Sequence, residues 1–106
     1  MKTQTINTYL LLIAILFITA CSASRRLEKA NNFYEDGQYF KAIEMYKKAY
    51  KNADRKQKKE IYFKLGESYL AINESRDAER WLKRAVRAEY EDTKAILDYA
   101  QALKME

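Results

Sequence analysis

Cys21 is the only cysteine in this 106-residue sequence, and histidine is absent. An imidazole base, a disulfide and a zinc site built from thiolates are therefore excluded. Four serines, 20 basic residues and 15 acidic residues remain, but their spacing forms no recognisable triad or pair of catalytic carboxyls. We expect no enzymatic activity, no bound metal and no cofactor.

Cys21 follows an apolar segment whose length suits export better than a permanent membrane span. Residues 9–20 are twelve consecutive uncharged residues after a polar start that contains Lys2. As a helix they would reach only ~18 Å, against a hydrocarbon thickness of ~30 Å. Residues 1–20 are therefore typical of a cleaved signal peptide.

Ile18-Thr19-Ala20-Cys21 resembles the lipobox of bacterial lipoproteins. The resemblance implies cleavage before Cys21, a diacylglycerol on its sulfur and an acylated new amino terminus. Two or more acyl chains give a stable anchor, since each buried CH₂ contributes ~0.8 kcal/mol. Ser22 and Ala23 are similar to sequences sent to the outer membrane. We expect residues 21–24 to be a lipidated tether, with the mature chain facing the periplasm.

Two other interpretations of this segment remain open. Ordinary signal cleavage after Ser24 would release a soluble periplasmic protein. Without cleavage, residues 1–20 would remain as a short amino-terminal anchor. Lipidation is the interpretation that gives a role to the single cysteine.

Residues 25–106 contain a helical pattern that recurs after 36 residues. Small residues would let paired helices approach closely, and glycine or asparagine can end a helix in the left-handed conformation. A third, partial unit follows at an offset of 34 residues, where Ala100 matches Gly66 and Leu103 matches Tyr69. With no proline and two glycines, the composition indicates an all-α fold. The 36-residue matches are Ala30 with Gly66, Phe33 with Tyr69, Gly37 with Asn73, Ala42 with Ala78, and Ala49 with Ala85.

The helix-turn-helix pattern resembles the tetratricopeptide repeat, with Leu65-Gly66, Tyr69 and Ala78 carrying its signature in the second unit. The resemblance implies about two and a half antiparallel hairpins in a short right-handed α-solenoid, truncated here or continued in a longer protein. Asp54 and Tyr90 depart from the family pattern, which has proline there. An unrelated small helical bundle is the alternative.

Several local signals accompany the repeats. Asp54 with Gln57 resembles a capping box, and Asp92 is placed to cap a helix that begins near Thr93. Trp81 is expected in the core or between repeats. We also expect the last helix to expose Ile96, Leu97 and Leu103.

Tetratricopeptide arrays generally bind peptides or proteins in a groove lined by the first helix of each repeat. This mixed apolar and amide surface suits a helical or extended segment with hydrophobic anchors. For Leu27, Phe63 and Leu97 the alternative is burial between units. The carboxylate clamp of chaperone-binding repeats is not expected, since only Asn31 and Lys94 resemble it. Carried over to this sequence, the groove residues would be Leu27, Asn31, Tyr34, Phe63, Glu67, Leu70, Leu97 and Gln101.

The net charge of +5 comes from mixed signs along the chain. Arg55, Lys56, Lys58 and Lys59 precede Glu60, and we interpret this run as a solvated helix face. A basic patch for nucleic acid, lipid headgroups or an acidic partner is the alternative. Export to the periplasm argues against nucleic acid.

Residues 37–50 and 78–86 are similar to the amino-terminal repeats of Bacteroidetes outer-membrane lipoproteins. In that family the repeats precede a WD-like β-propeller and an OmpA-type peptidoglycan-binding domain, and some members serve type IX secretion. The resemblance implies a membrane-anchored scaffold for protein partners, with any peptidoglycan association in a region outside this sequence. The alternatives are an outer-membrane protein assembly lipoprotein and an accessory segment of a longer envelope enzyme.

Overall fold

The computed structural model describes residues 2–88 and 93–106. Every regular element in these two ranges is an α-helix, so the predicted all-α class is confirmed there. The predicted cap Asp92 and the departure at Tyr90 lie outside the described residues. The helices are α1 (Lys2–Glu35), α2 (Tyr39–Tyr50), α3 (Arg55–Ala71), α4 (Ser75–Arg87) and α5 (Thr93–Met105).

A tight turn joins α1 to α2, and the two helices pack on each other as a hairpin. The backbone N–H of Gln38 donates to the carbonyl of Phe33 at 2.8 Å, and the N–H of Gly37 donates to the carbonyl of Tyr34 at 3.1 Å. Gly37 has a φ of 76°, in the left-handed region where a Cβ is strained. This pair of bonds is a Schellman ending, which satisfies the last carbonyls of α1.

The turn between α3 and α4 repeats this geometry 36 residues later. The N–H of Glu74 donates to the carbonyl of Tyr69 at 2.9 Å, and the N–H of Asn73 donates to the carbonyl of Leu70 at 3.0 Å. Asn73 has a φ of 62°. Asparagine is among the few residues besides glycine that adopt this conformation routinely. The predicted roles of Gly37 and Asn73 are confirmed.

The beginning of α3 is fixed by the predicted capping box. Asp54 Oδ1 accepts from the backbone N–H of Gln57 at 2.8 Å, and the backbone N–H of Asp54 donates to Gln57 Oε1 at 3.0 Å. Two amide groups that helix geometry leaves without intrahelical partners are thereby satisfied. The connection from α2 therefore ends at a defined residue.

The helices meet at small residues that are fully buried. Ala30, Ala42 and Ala78 have no exposed surface. At Gly66 an added Cβ would lie well inside van der Waals contact with Cγ and Cδ2 of Leu82, so α3 and α4 touch where only a hydrogen atom fits. The core consists of Leu27, Ala30, Ala42, Ile43, Tyr46, Ala49, Ile61, Phe63, Leu65, Tyr69, Ala78, Leu82, Ala85, Ala95 and Ala102.

Helix α1 continues without a break through the residues predicted to be a tether. Ala23 is 1% exposed, and Gln57 Nε2 donates to Ser24 Oγ at 3.3 Å. Ala23, Leu27 and Ala30 follow one another at helical spacing, so the buried face extends one turn further toward the amino terminus than residue 25. The backbone of Cys21 lies within α1, and its side chain lies outside the described part of the chain.

The amino-terminal part of α1 extends beyond the packed helices. Residues 4–16 are exposed, and the longest dimension of the molecule is 64 Å. None of the helices in the described ranges combines the length and the apolar character that crossing a bilayer requires.

Helix α5 packs on α4 and, less extensively, on α3. Ala95 and Ala102 are buried, whereas Ile96, Leu97 and Leu103 are exposed as predicted. Ala100 matches Gly66 in the sequence pattern, but Gly66 is buried and Ala100 is not. Ala100 is exposed because the described residues place no second helix against that side of α5.

Candidate protein-binding face

One side of the molecule is formed by α1, α3 and α5, which polar side chains link in series. Tyr34 on α1 donates its hydroxyl proton to Glu67 Oε1 on α3 at 2.8 Å. Lys94 on α5 donates from Nζ to Glu67 Oε2 at 2.5 Å. We call this surface the α1/α3/α5 face.

Glu67 is the centre of this network and is held in place from both sides. Its side chain is 9% exposed, whereas that of Lys94 is 60% exposed. Burial, followed by the hydrogen bond to Glu67, raises the pKa of Tyr34 well above its ordinary value, so the phenol remains a neutral donor. Lys64 Nζ lies 4.3 Å from the centre of the Tyr34 ring, a cation–π contact. Lys64 and Tyr34 therefore present a combined cationic and aromatic surface.

Asn31 lies on the same helix as Tyr34 but makes its contact within the first hairpin. The Tyr46 hydroxyl donates to Asn31 Oδ1 at 2.5 Å. Tyr46 is fully buried, and desolvation raises the pKa of its phenol well above its ordinary value. The amide oxygen of Asn31 therefore already accepts a hydrogen bond within the first hairpin.

The predicted groove residues divide into buried and accessible groups. Leu27 and Phe63 are core residues, so their assignment to an open groove is wrong and the alternative, burial, holds for both. Apolar side chains have a lower free energy inside the packed helices than in water. Leu70 is partly buried against the core, whereas Leu97 is 68% exposed and Gln101 is exposed.

An aromatic cluster joins the two hairpins away from this face. The Trp81 ring on α4 lies 6.0 Å from Tyr50 at the end of α2 and 6.1 Å from Tyr62 on α3. Burial, followed by a hydrogen bond to Tyr50, raises the pKa of Tyr62. Trp81 is partly buried against the core and contacts both hairpins, as expected for a residue in the core or between units.

A basic cleft lies between the start of α3 and the end of α4, where the alternative interpretation of residues 55–59 as a basic patch places positive charge. Arg55, Lys58, Lys59 and Arg87 surround Tyr62 at an open cavity of about 460 Å³. The spacing of the first three residues, at i, i+3 and i+4, places them on one side of α3. Arg87 reaches them only because α4 runs back along α3, and the spacing of residues 55–60 alone does not indicate that contact.

The side chains on these surfaces offer apolar contact, hydrogen bonds and positive charge. Within residues 2–88 and 93–106, no group of three or more His, Cys, Asp or Glu side chains is arranged to hold a metal ion. A scan of the sequence against protein-family models and a search of the curated proteins found no match.

Proposed function

We propose that this chain is a tetratricopeptide-type scaffold, anchored in the outer membrane through an acylated Cys21 and facing the periplasm. It binds protein or peptide partners in a cell-envelope or secretion complex. The observation that carries the proposal is the repetition of the hairpin, whose turns at Gly37 and Asn73 share their hydrogen bonds and left-handed residue at a spacing of 36 residues. A third helix of the first type, α5, packs on the second hairpin and extends the series.

The partner surface in this proposal is the accessible part of the α1/α3/α5 face. Leu70 and Leu97 offer apolar contacts, and Gln101 offers an amide. Lys64 and Lys94 add positive charge at its centre. A partner carboxylate would compete with Glu67 for Lys94, because the lysine is largely exposed. The face therefore suits a segment with apolar anchors and at least one acidic group.

The anchor in this proposal is attached close to the packed helices. Ala23 is already buried, so acyl chains on Cys21 would lie within one helical turn of the core. Such a connection confines the domain to the membrane surface. It raises the local concentration of the domain near partners in the same layer.

Metabolic labelling with palmitate tests the anchor. We expect the unaltered chain to incorporate label and to fractionate with outer membranes, while Cys21→Ser incorporates none and keeps residues 1–20. Ser22→Ala is the matched control, because it leaves the acceptor sulfur in place. Label that persists in Cys21→Ser, or an unmodified Cys21 in the intact mass of the mature protein, would refute the anchor.

Photo-crosslinking in cells tests the partner face. We expect a photoreactive residue at Leu97 to capture an envelope protein, and the same residue at Lys83, exposed on α4, to capture little. Equal capture from both positions would argue against a specific face. Capture of secretion-complex proteins would support the first proposal, whereas barrel-assembly proteins would favour the outer-membrane protein assembly alternative.

A further inference from the structure

The basic cleft lies at the end of the molecule where α1 leads back to Cys21. Gln57, in the first turn of α3, donates to Ser24 on α1, and Lys58 is the next residue along. Arg26 Nη1 donates to the carbonyl of Lys48 at 3.5 Å, which brings the end of α2 to the same place. Ser24 follows Cys21 by three residues, a helical rise of about 4.5 Å.

Positive charge is concentrated at this end. Residues 47–59 contain seven basic side chains and one acidic side chain, Asp54. The Asp54 carboxylate accepts the capping-box hydrogen bond from Gln57, and among the described residues lining the cleft none is acidic. The opposite end, around the turns at Gly37 and Asn73, has mixed charge, with Glu35, Asp36, Glu74 and Asp77 beside Lys41 and Arg76.

The residues that line the cleft include two arginines and two lysines. Lys58 Nζ lies 5.2 Å from the centre of the Tyr50 ring, which restrains the lysine beside the cavity. Arg55 and Arg87 line the cavity from two helices, and arginine binds phosphate oxygens through paired N–H groups. A phosphate with a small organic substituent fits a volume of about 460 Å³.

We propose that the basic cleft binds the headgroup phosphate of an anionic phospholipid in the leaflet that holds the acyl anchor. This inference rests on the proposed acylation of Cys21, because the anchor directs this end of the molecule toward the headgroup layer. Basic side chains at an anionic membrane surface add to the affinity that acyl chains provide. The lipid contact fixes the orientation of the helices, so the turns at Gly37 and Asn73 point away from the membrane.

Lysine footprinting of the full chain tests the proposal. The protein is produced in bacteria and inserted into preformed vesicles of phosphatidylcholine alone or with phosphatidylglycerol, and amine acetylation at each lysine is followed by mass spectrometry. We expect Lys58 and Lys59 to react about fivefold more slowly when phosphatidylglycerol is present. Lys41, at the opposite end of α2, should react at the same rate in both vesicles. Equal rates at Lys58 and Lys59 in the two vesicles would overturn the proposal.

Two pairs of arginine variants remove the same charge from different places. Arg55→Gln with Arg87→Gln should abolish the slowing at Lys58 and Lys59, whereas Arg76→Gln with Arg80→Gln should preserve it. Loss of the slowing in both pairs would show a general charge effect and reject the cleft. Because the comparison of vesicles uses the unaltered chain, the proposal remains testable if a variant fails to fold.

Inorganic phosphate added to the phosphatidylcholine vesicles separates a lipid ligand from a free anion. Protection of Lys58 and Lys59 by inorganic phosphate alone would reject the lipid as the ligand. The intact mass of the same protein reports the state of Cys21 independently. A bare Cys21 with slowing by phosphatidylglycerol would refute the proposed anchor and leave the phosphate site supported, whereas an acylated Cys21 without slowing would refute the site alone.

Discussion

The two hairpins use one equivalent position for different purposes. Asn31 and Glu67 are 36 residues apart on the first helix of each hairpin. Asn31 accepts from Tyr46 within its own hairpin, whereas Glu67 accepts from Tyr34 of the first hairpin and from Lys94 of α5. The backbone turns that precede the second helices are the same in both.

This difference shows that the same backbone geometry can support a contact within one hairpin or contacts between helices that are distant in the sequence. An amide at the shared position stabilises one unit, while a carboxylate there connects three helices that are far apart in the sequence. The second helices of the two hairpins, α2 and α4, differ correspondingly in the side chain that they place opposite this position. Tyr46 in the first hairpin supplies the hydroxyl that Asn31 needs, and Leu82 at the matching position supplies only apolar contact.

The closest approach between helices distinguishes the hairpins most strongly. We expect Gly66→Ala to destabilise the fold by about 2 kcal/mol, because the new methyl group meets the buried side chain of Leu82. Ala30→Gly, the matched change in the first hairpin, should cost only about 1 kcal/mol through backbone entropy. Urea unfolding followed by circular dichroism measures both changes.

A double variant identifies the clash as the cause. Leu82→Ala alone should cost about 2 to 5 kcal/mol, but Gly66→Ala with Leu82→Ala should cost clearly less than the sum. Strict additivity would contradict the contact.

Removal of the buried hydroxyl of Tyr46 should have the next largest effect on stability. Tyr46→Phe should cost about 1 to 2 kcal/mol, because Asn31 loses its donor in a partly buried position. Asn31→Leu should add little to Tyr46→Phe. By comparison, Tyr34→Phe should couple to Glu67 on the second hairpin. A thermodynamic double-mutant cycle for each pair measures its coupling free energy and so distinguishes the contact within a hairpin from the contact between hairpins. A coupling free energy between Tyr46 and Glu67 as large as that between Tyr46 and Asn31 would contradict this assignment.

The two turns should respond alike to alanine. Gly37→Ala and Asn73→Ala should each cost about 1 kcal/mol, because alanine adopts the left-handed region less readily than glycine or asparagine. No atom lies within 4 Å of a Cβ at Gly37, so the penalty there comes from the backbone and not from crowding. Asn73→Gly should change the stability by less than either. Thermal unfolding provides the measurement, and a neutral Gly37→Ala would show that this turn differs from its counterpart.

Removal of the ion pair between Lys94 and Glu67 should have the smallest effect on stability. Lys94→Met should cost about 0.5 kcal/mol, since the lysine is largely exposed and solvent screens the pair. We expect faster amide hydrogen exchange in α5 and little change in α1 and α2. The effect should vanish at high salt, where the screening length is shorter. Exchange that rises uniformly through all helices would show that the pair contributes to global stability instead.

Local signals in the sequence predicted the elements of this fold well. Gly37 and Asn73 marked the two turns, Asp54 with Gln57 marked the start of α3, and small residues at the helix contacts indicated which sides meet. Each of these signals depends on backbone sterics or on neighbours within a few residues. Such preferences act whatever the rest of the chain does.

The surfaces were less predictable because they depend on several helices at once. Leu27 and Phe63 have the same apolar character as Leu97, yet only Leu97 is exposed, since burial depends on which helices pack nearby. Likewise, the sequence places Arg87 28 residues after Lys59, and nothing local indicates that they share a cleft.

The sequence by itself determined that the described helices pair through tight, repeated turns, because Schellman endings, a capping box and small contact residues are encoded locally. Only the tertiary structure decided which side chains remained accessible and which charges met. Burial and electrostatic proximity are properties of assembled helices, as the network at Glu67 and the basic cleft between α3 and α4 both show.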